Sequence, residues 1–117
     1  MCKGKVPKFC MISICLLIDA LSVGKAKHIG VSNFSEYTLS KILPFATIKP
    51  VVNQIELHPY LPQFKLVEYL KSEGIVPEAY SPLGSTNTPI LKDEVIVELA
   101  KNYDVQPAQI VIGWFSE

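Results

Sequence analysis

Two short polar residues, Ser32 and Asn33, follow a predicted strand at residues 28–32 and could together hold a planar amide. Serine offers one hydrogen-bond donor, and asparagine offers a pair of donors and an acceptor. Gln54 is a third candidate, because it stands inside an otherwise apolar predicted strand and its amide needs a partner. The alternative for Ser32 and Asn33 is a turn that caps the next helix, and these residues alone leave both readings open.

An aromatic residue and a loop segment come later in the chain. Tyr80 ends a third predicted strand with a flat ring suited to stacking on a heteroaromatic ring, and the alternative is a core aromatic residue. Residues 81–85, Ser-Pro-Leu-Gly-Ser, offer backbone N–H groups and hydroxyls in a tight loop. Such a loop is able to hold phosphate oxygens, although a turn without a ligand has the same composition.

Strand and helix repeats position these residues. Predicted strands begin near residues 28, 50 and 75, with one predicted helix in each gap. This spacing is typical of βα units with parallel strands. Because α/β folds place their chemistry at the carboxyl ends of the strands, the polar residues above stand where a site is expected. We therefore predict an α/β fold with about three parallel strands and flanking helices.

Helix boundaries follow from capping residues and from apolar spacing. Ser35 and Asp93 are predicted N-caps, Pro62 and Pro107 are placed at first helical positions, and Gly74 is predicted to end a helix. Apolar residues at three-to-four spacing are predicted to form the buried helix faces. They are Leu39, Ile42, Leu43, Ala46, Leu66, Val67, Leu70, Val95, Ile96, Leu99, Ala100, Tyr103, Ile110, Val111 and Trp114.

Composition and charge exclude several classes of partner. The 117 residues include 11 basic and 11 acidic side chains, so the charge balance favours neither nucleic acid nor an anionic surface. The hydrophobic content of 49% is high for a domain of this length, which is about half of a full (β/α)8 barrel. The three cysteines, Cys2, Cys10 and Cys15, form no disulfide framework or zinc spacing, and we predict no metal site.

The first 23 residues differ from the rest of the chain. Three lysines precede an apolar run at residues 9–18, which is shorter than the roughly 20 residues of a membrane span. We interpret residues 1–23 as an atypical apolar segment, with a buried helix, a misread sequence and a signal peptide over residues 1–22 as alternatives. We expect a cytoplasmic protein without a membrane span, or a secreted one if the signal peptide is real.

Three segments contain these residues: Gly-Lys-Ala-Lys-His-Ile-Gly-Val-Ser-Asn-Phe-Ser at 24–35, Pro-Val-Val-Asn-Gln-Ile-Glu-Leu-His-Pro at 50–59 and Glu-Ala-Tyr-Ser-Pro-Leu-Gly at 78–84. They resemble motifs of the aldo-keto reductases, barrel enzymes that transfer a hydride between NADPH and a carbonyl. The segments occur in family order and at family spacing. The region 91–114 is similar to the closing helices of the family. The resemblance implies that residues 24–117 form part of a (β/α)8 TIM barrel and belong to an NADP-dependent oxidoreductase domain.

The resemblance also implies a role for each matching residue. The nicotinamide carboxamide would be bound by Ser32, Asn33 and Gln54 at the first two strands. The nicotinamide ring would stack on Tyr80, and the diphosphate channel would be lined by Ser81, Leu83 and Ser85 in the following loop. The implied cofactor is NADP(H), and the implied substrate in full-length members is a small carbonyl or alcohol.

The catalytic Tyr, Lys, Asp and His of the family precede the first matching strand, so no catalytic residue is assigned in this chain. One hypothesis is an NADP-dependent oxidoreductase of the aldo-keto reductase type, present as a fragment that is inactive alone. The alternative is a non-catalytic vestigial or interaction protein that keeps part of a nucleotide site. An open parallel sheet leaves edges and one face uncovered, so we expect the chain alone to be insoluble, partly folded or self-associated.

Overall fold

The computed structural model describes residues 19, 21–85 and 88–115. Most of the predicted apolar segment at residues 1–23 lies outside the described residues. The chain separates into two compact units. The first is the described part of Met1–Ile55 with Lys65–Glu78, and the second is the described part of Glu56–Phe64 with Ala79–Glu117.

A three-stranded sheet with the order β1-β2-β3 has most of its residues in the first unit, and Glu56, Ala79 and Tyr80 belong to the second. The strands are β1 (Gly30–Ser32), β2 (Val52–Glu56) and β3 (Val76–Tyr80). In the parallel pairing of β1 with β2, Gly30 lies opposite Val52 and Ser32 lies opposite Gln54. The prediction of three parallel strands with flanking helices is confirmed.

Close packing between β1 and β2 requires the glycine at the start of β1. A Cβ atom on Gly30 would lie 2.4 Å from Cγ1 of Val52, a distance that real Cβ atoms do not reach. Side chains along β2 alternate between half-buried and buried, with Asn53 and Ile55 on the buried side. The buried apolar residues of this unit are Ile29, Leu39, Ile42, Ile55, Leu70 and Ile75.

Local capping explains where the helices of the first unit begin and end. Helix α1 (Glu36–Ile42) begins after Ser35, whose Oγ accepts a hydrogen bond from the Thr38 N–H at 3.2 Å, as predicted. A short 3-10 helix (Leu43–Phe45) follows α1. Helix α2 (Phe64–Ser72) ends before Gly74, which adopts a φ of +67°. The predicted glycine stop is therefore confirmed.

Two helices and a 3-10 helix form the core of the second unit. They are the 3-10 helix Ile90–Lys92, helix α3 (Glu94–Asn102) and helix α4 (Pro107–Gly113). Asp93 caps α3 by accepting from the Val95 N–H at 2.9 Å, and Pro107 is the first residue of α4, both as predicted. The core consists of Ile90, Ile96 and Val111, with Leu83, Ile110 and Phe115 packed against it.

Two sequence predictions about the helices are wrong. Helix α2 begins at Phe64, two residues after Pro62, because Gln63 has a φ of +44° and its Nε2 donates to the backbone oxygen of Glu56 at 2.5 Å. Four residues of the predicted buried faces are exposed, because only the centre of each apolar stripe meets the core. The exposed fractions are 64% for Val95, 38% for Leu99, 71% for Tyr103 and 39% for Trp114.

Five further residues of the predicted faces are half-buried, namely Leu43, Ala46, Leu66, Val67 and Ile110. The faces therefore narrow to a few fully buried positions on each helix: Leu39 and Ile42 on α1, Leu70 on α2, Ile96 and Ala100 on α3, and Val111 on α4. In the described part of the chain, every helix is shorter or less apolar than a bilayer crossing requires.

Candidate functional site

Three polar residues predicted from the sequence meet where the carboxyl end of β1 pairs with the middle of β2. Ser32 lies opposite Gln54 in the strand register. The hydroxyl of Ser32 donates to the backbone oxygen of Gln54 at 3.1 Å, and the backbone N–H of Asn33 donates to the same oxygen at 2.8 Å. The side chains of Ser32 and Asn33 are exposed. The first unit therefore brings together the residues that the resemblance assigns to a carboxamide.

The loop after β1 is held by a buried amide that the sequence analysis did not single out. Asn53 is fully buried, and its Nδ2 donates to the backbone oxygen of Phe34 at 2.8 Å. The Phe34 N–H donates to Oδ1 of Asn53 at 3.3 Å. This clasp lies next to Asn33, which adopts a φ of +56° that asparagine tolerates better than most residues. Asn53 thus supports the backbone conformation of the candidate site.

Gln54 finds its hydrogen-bond partner in a second residue that the sequence analysis missed. The Gln54 side chain is half-buried, and its Nε2 donates to Oε1 of Glu78 at 2.7 Å. Among the described residues, no hydrogen bond reaches Oε1 of Gln54 or the side-chain amide of Asn33. The alternation of β2 could have marked Asn53 as the buried amide, but Glu78 is 24 positions from Gln54 and no local pattern links them.

The hydrogen-bonding capacity of this cluster matches a primary carboxamide. The single hydroxyl proton of Ser32 is directed to Gln54, so its oxygen remains an acceptor. Oε1 of Gln54 is a second acceptor, and the Asn33 amide can both donate and accept. A carboxamide presents two N–H donors and one carbonyl oxygen, which these groups can pair with. The residues present therefore fit the nicotinamide carboxamide that the sequence analysis expects.

The second unit contains the remaining predicted residues. Tyr80 is half-buried, and Ser81 after it has a φ of +50°. The Gly84 N–H donates to the Ser81 oxygen at 2.9 Å and closes a tight turn. A Cβ on Gly84 would lie 2.6 Å from the Thr88 oxygen, so this turn requires glycine.

Leu83 and Ser85 use their side chains in different ways. The side chain of Leu83 packs against the core of the second unit, so a role at a ligand would fall to its backbone groups. Ser85 is exposed, and its Oγ lies 3.4 Å from Oγ1 of Thr88. The hydroxyl of Ser85 therefore stays at the surface of the loop.

Two further polar side chains of the second unit, Tyr60 and His58, contact carboxylates of the same unit. Tyr60 donates to the Asp93 carboxylate, and this bond is the main cause that lowers the pKa of Asp93 and raises that of Tyr60. His58 is buried, with Nε2 at 3.3 Å from Oε1 of Glu56. Within the described ranges, no group of three or more His, Cys, Asp or Glu side chains is arranged to hold a metal ion.

Comparison with known proteins identifies the family of these elements. The profile described as the aldo/keto reductase family matches residues 7–117. Among curated relatives from Saccharomyces cerevisiae, the chain is 50% identical to glycerol 2-dehydrogenase (NADP(+)) and 46% identical to aldehyde reductase YPR1. Each alignment spans 101 residues and covers 85% of this chain and 32% of the relative. The chain thus spans about a third of the length of these relatives.

Solved structures agree with the sequence relatives. The aldose reductase from Schistosoma japonicum superposes with a TM-score of 0.75 at 37% identity, covering 80% of this chain and 30% of that one. The apo form of Gox0644 superposes with a TM-score of 0.77 at 41% identity, covering 84% and 35%. The expected α/β barrel type of fold is confirmed by these neighbours.

Proposed function

We propose that this chain, which belongs to the aldo/keto reductase family, provides the carboxamide-binding residues for the nicotinamide cofactor of an oxidoreductase. The oxidoreductase would interconvert carbonyls and alcohols with NADP(H). Membership of the family and relatives named as reductases support this reaction class. The name of one relative, glycerol 2-dehydrogenase (NADP(+)), supports the choice of NADP(H).

The observation that carries the proposal is the convergence of Ser32, Asn33 and Gln54 where the carboxyl end of β1 pairs with β2. Ser32 and Asn33 both hydrogen-bond to the main chain of Gln54, which fixes their spacing. Their remaining hydrogen-bonding groups complement a carboxamide. A turn that only capped α1 would use Ser35, whose side chain already makes that cap. The cap of α1 therefore does not need the side chains of Ser32, Asn33 and Gln54, which remain for a ligand.

For the second unit, we assign roles by family resemblance. Tyr80 would stack on the nicotinamide ring, while Ser81 and Ser85 and the backbone of Leu83 would contact the diphosphate. The positive φ of Ser81 supports this role, because strained backbone of this kind concentrates at binding and catalytic positions. The cofactor, when bound, supplies the hydride, and the residues of this chain bind and orient it. Residues 24–117 would form the corresponding part of the barrel domain, and the cytoplasmic location stays a prediction.

The proposal is tested by ligand-observed NMR titration of the purified chain with NADP+. We expect binding no tighter than millimolar, because stacking and a few hydrogen bonds contribute only about 1 kcal/mol each. Tyr80→Leu should weaken binding about fivefold by removing the stacking surface. Tyr37→Leu is the matched control, because Tyr37 is 73% exposed on α1. Equal affinity of the Tyr80→Leu and unmodified chains would contradict the assignment of Tyr80.

A further inference from the structure

A carboxylate controls which end of the Gln54 amide is available to a ligand. Glu78 accepts a hydrogen bond from Nε2 of Gln54 at 2.7 Å, and both residues belong to the first unit. An ionised carboxylate only accepts hydrogen bonds, so the amide must turn its NH2 group towards it. The opposite end of the amide, Oε1, then points away from Glu78. The polarity of Gln54 is thereby set by the chemistry of its neighbour.

We propose that Glu78 is a positioning residue that holds Gln54 as a hydrogen-bond acceptor and so selects a ligand group that carries an N–H donor. This inference rests on the proposed function, since the ligand group is the carboxamide of the nicotinamide. Glu78 acts through Gln54 and makes no contact with the ligand itself. Its effect is on the selection of the ligand group rather than on the reaction.

The other contacts of Gln54 do not set the polarity of its side chain. Ser32 and Asn33 both donate to the backbone oxygen of Gln54, which is the same for either orientation of the side-chain amide. The last torsion of a glutamine side chain is broad and roughly two-fold, so the amide can turn over where no neighbour prevents it. In the part of the chain that the structure describes, Glu78 is the side chain that hydrogen-bonds this amide.

The expected consequence is a preference between two closely related cofactors. In 3-acetylpyridine adenine dinucleotide phosphate, a methyl group replaces the NH2 of the carboxamide. This analogue keeps the carbonyl oxygen and loses the N–H that Oε1 of Gln54 would accept. The unmodified chain should therefore bind NADP+ more tightly than the analogue by about fivefold, the size of one net hydrogen bond.

The decisive variant inverts the polarity and keeps a hydrogen bond. In Glu78→Lys, the ammonium group only donates, so Gln54 turns Oε1 towards it and presents NH2 to the ligand. Both ligands have a carbonyl oxygen that this NH2 can reach, so the ratio of the two dissociation constants should fall to about one. A loss of mere structural support would weaken both ligands together and leave the ratio unchanged.

The test is a ligand-observed NMR titration of NADP+ and of the analogue with the full chain, Glu78→Lys and Glu68→Lys. Glu68 is an exposed carboxylate on α2 of the first unit, so Glu68→Lys matches the change of charge and should keep the fivefold ratio. Glu78→Gln is a second variant with nearly native shape, whose amide accepts or donates and should give an intermediate ratio.

Each outcome separates the two levels of the proposal. If the unmodified chain binds neither ligand, the proposed function fails and this inference fails with it. If the chain binds both and the ratio stays the same in Glu78→Lys and Glu78→Gln, the positioning role of Glu78 is wrong while the cofactor site stands. A ratio that falls in the two Glu78 variants and not in Glu68→Lys supports the role of Glu78.

Discussion

Asn53 and Gln54 are adjacent amides on β2, and their environments differ because successive side chains of a strand point to opposite faces. Asn53 is fully buried and uses both ends of its amide on the backbone of Phe34. Gln54 is half-buried and uses its NH2 on Glu78. The first amide therefore stabilises the loop, and the oxygen of the second is not hydrogen-bonded within the described residues.

Replacing Asn53 should affect stability strongly. In Asn53→Leu, the N–H and C=O of the half-buried Phe34 lose their partner, and leaving such groups unpaired costs about 2 kcal/mol. We expect the free energy of unfolding in urea to fall by that amount. Asn102→Leu is the matched control, because Asn102 is exposed at the end of α3, and its effect should stay within about 0.5 kcal/mol. Similar losses in both variants would show that the clasp is unimportant.

Asn33 tests whether the loop after β1 is a turn or a ligand site. At a φ of +56°, glycine fits without a steric penalty, whereas alanine should destabilise the fold by about 1 kcal/mol. Asn33→Gly should therefore keep the stability and weaken NADP+ binding about fivefold by removing the side-chain amide. Urea unfolding and NMR titration measure the two effects. Unchanged binding in Asn33→Gly would leave Asn33 as a turn residue only.

At the scale of elements, the sequence predicted what depends on a few neighbouring residues. The caps Ser35 and Asp93 and the glycine stop at Gly74 were correct, because each is decided within one helical turn. The predicted start of α2 at Pro62 was wrong, because Gln63 hydrogen-bonds to the backbone of Glu56, seven positions earlier, and the helix begins later. Local rules thus place an element more reliably than its exact first residue.

The buried faces and the partners of the site could not be read from spacing. Val95 and Leu99 lie at helical spacing with Ile96 and are exposed, because periodicity identifies an apolar stripe without identifying what covers it. Of the residues proposed to bind the cofactor, Ser32, Asn33 and Gln54 were chosen from their types and from the family motifs. Glu78 was missed because its contact joins two strands that are distant in sequence.

The cap of α3 should make stability depend on pH. Tyr60 donates to Asp93, and this bond lowers the pKa of Asp93 below its ordinary value, with a smaller opposing effect of burial. Because the pKa of Asp93 is lower in the folded chain, its ionised carboxylate stabilises the fold. This stabilisation is fully present above the unfolded pKa of about 4 and is lost as pH falls through the folded pKa. We therefore expect the free energy of unfolding to decline below about pH 4.

Asp93→Asn should remove this part of the pH dependence, because asparagine caps helices well and does not ionise in this range. Glu98→Gln, an exposed carboxylate of the same helix, is the control and should leave the decline in place. The measurement is the free energy of unfolding in urea for the three chains between about pH 2 and 7, a range that spans the titration of carboxyl groups. An identical pH profile for Asp93→Asn and the unmodified chain would contradict the role of Asp93.

At the scale of the whole molecule, cofactor binding and catalysis are separate properties. In the family pattern the catalytic Tyr, the Lys and Asp that tune its pKa and the orienting His precede the first motif matched here. The chain spans 32% of the length of each yeast relative. We expect the 117-residue chain to oxidise NADPH no faster than a blank across a panel of aldehydes. A positioned general acid raises the reaction rate about 10²- to 10⁴-fold, so a chain without one should reduce aldehydes at a clearly lower rate. Turnover above the blank would reveal a proton donor that the resemblance does not identify.

Apolar side chains on the surface of each unit should drive self-association of the chain. In the first unit, Val76 on β3 is 63% exposed and Val51, whose oxygen accepts from the Val76 N–H, is 42% exposed. In the second unit, Phe64 is 70% exposed and meets Trp114 edge to face with ring centroids 6.4 Å apart. Exposed apolar clusters of this kind favour association because burying them removes apolar surface from water.

We therefore expect light scattering to show oligomers that grow with chain concentration. Phe64→Lys should raise the concentration at which oligomers form, because the charge disfavours burial of the Phe64–Trp114 cluster. Tyr37→Lys introduces the same charge at a residue that is 73% exposed on α1. Its effect should be smaller, because the Lys41 ammonium already lies 5.4 Å from the centroid of the Tyr37 ring and places a charge there. A chain that stays monomeric at all concentrations would contradict this prediction. It would mean that burying these apolar clusters gains less free energy than the entropy of association costs.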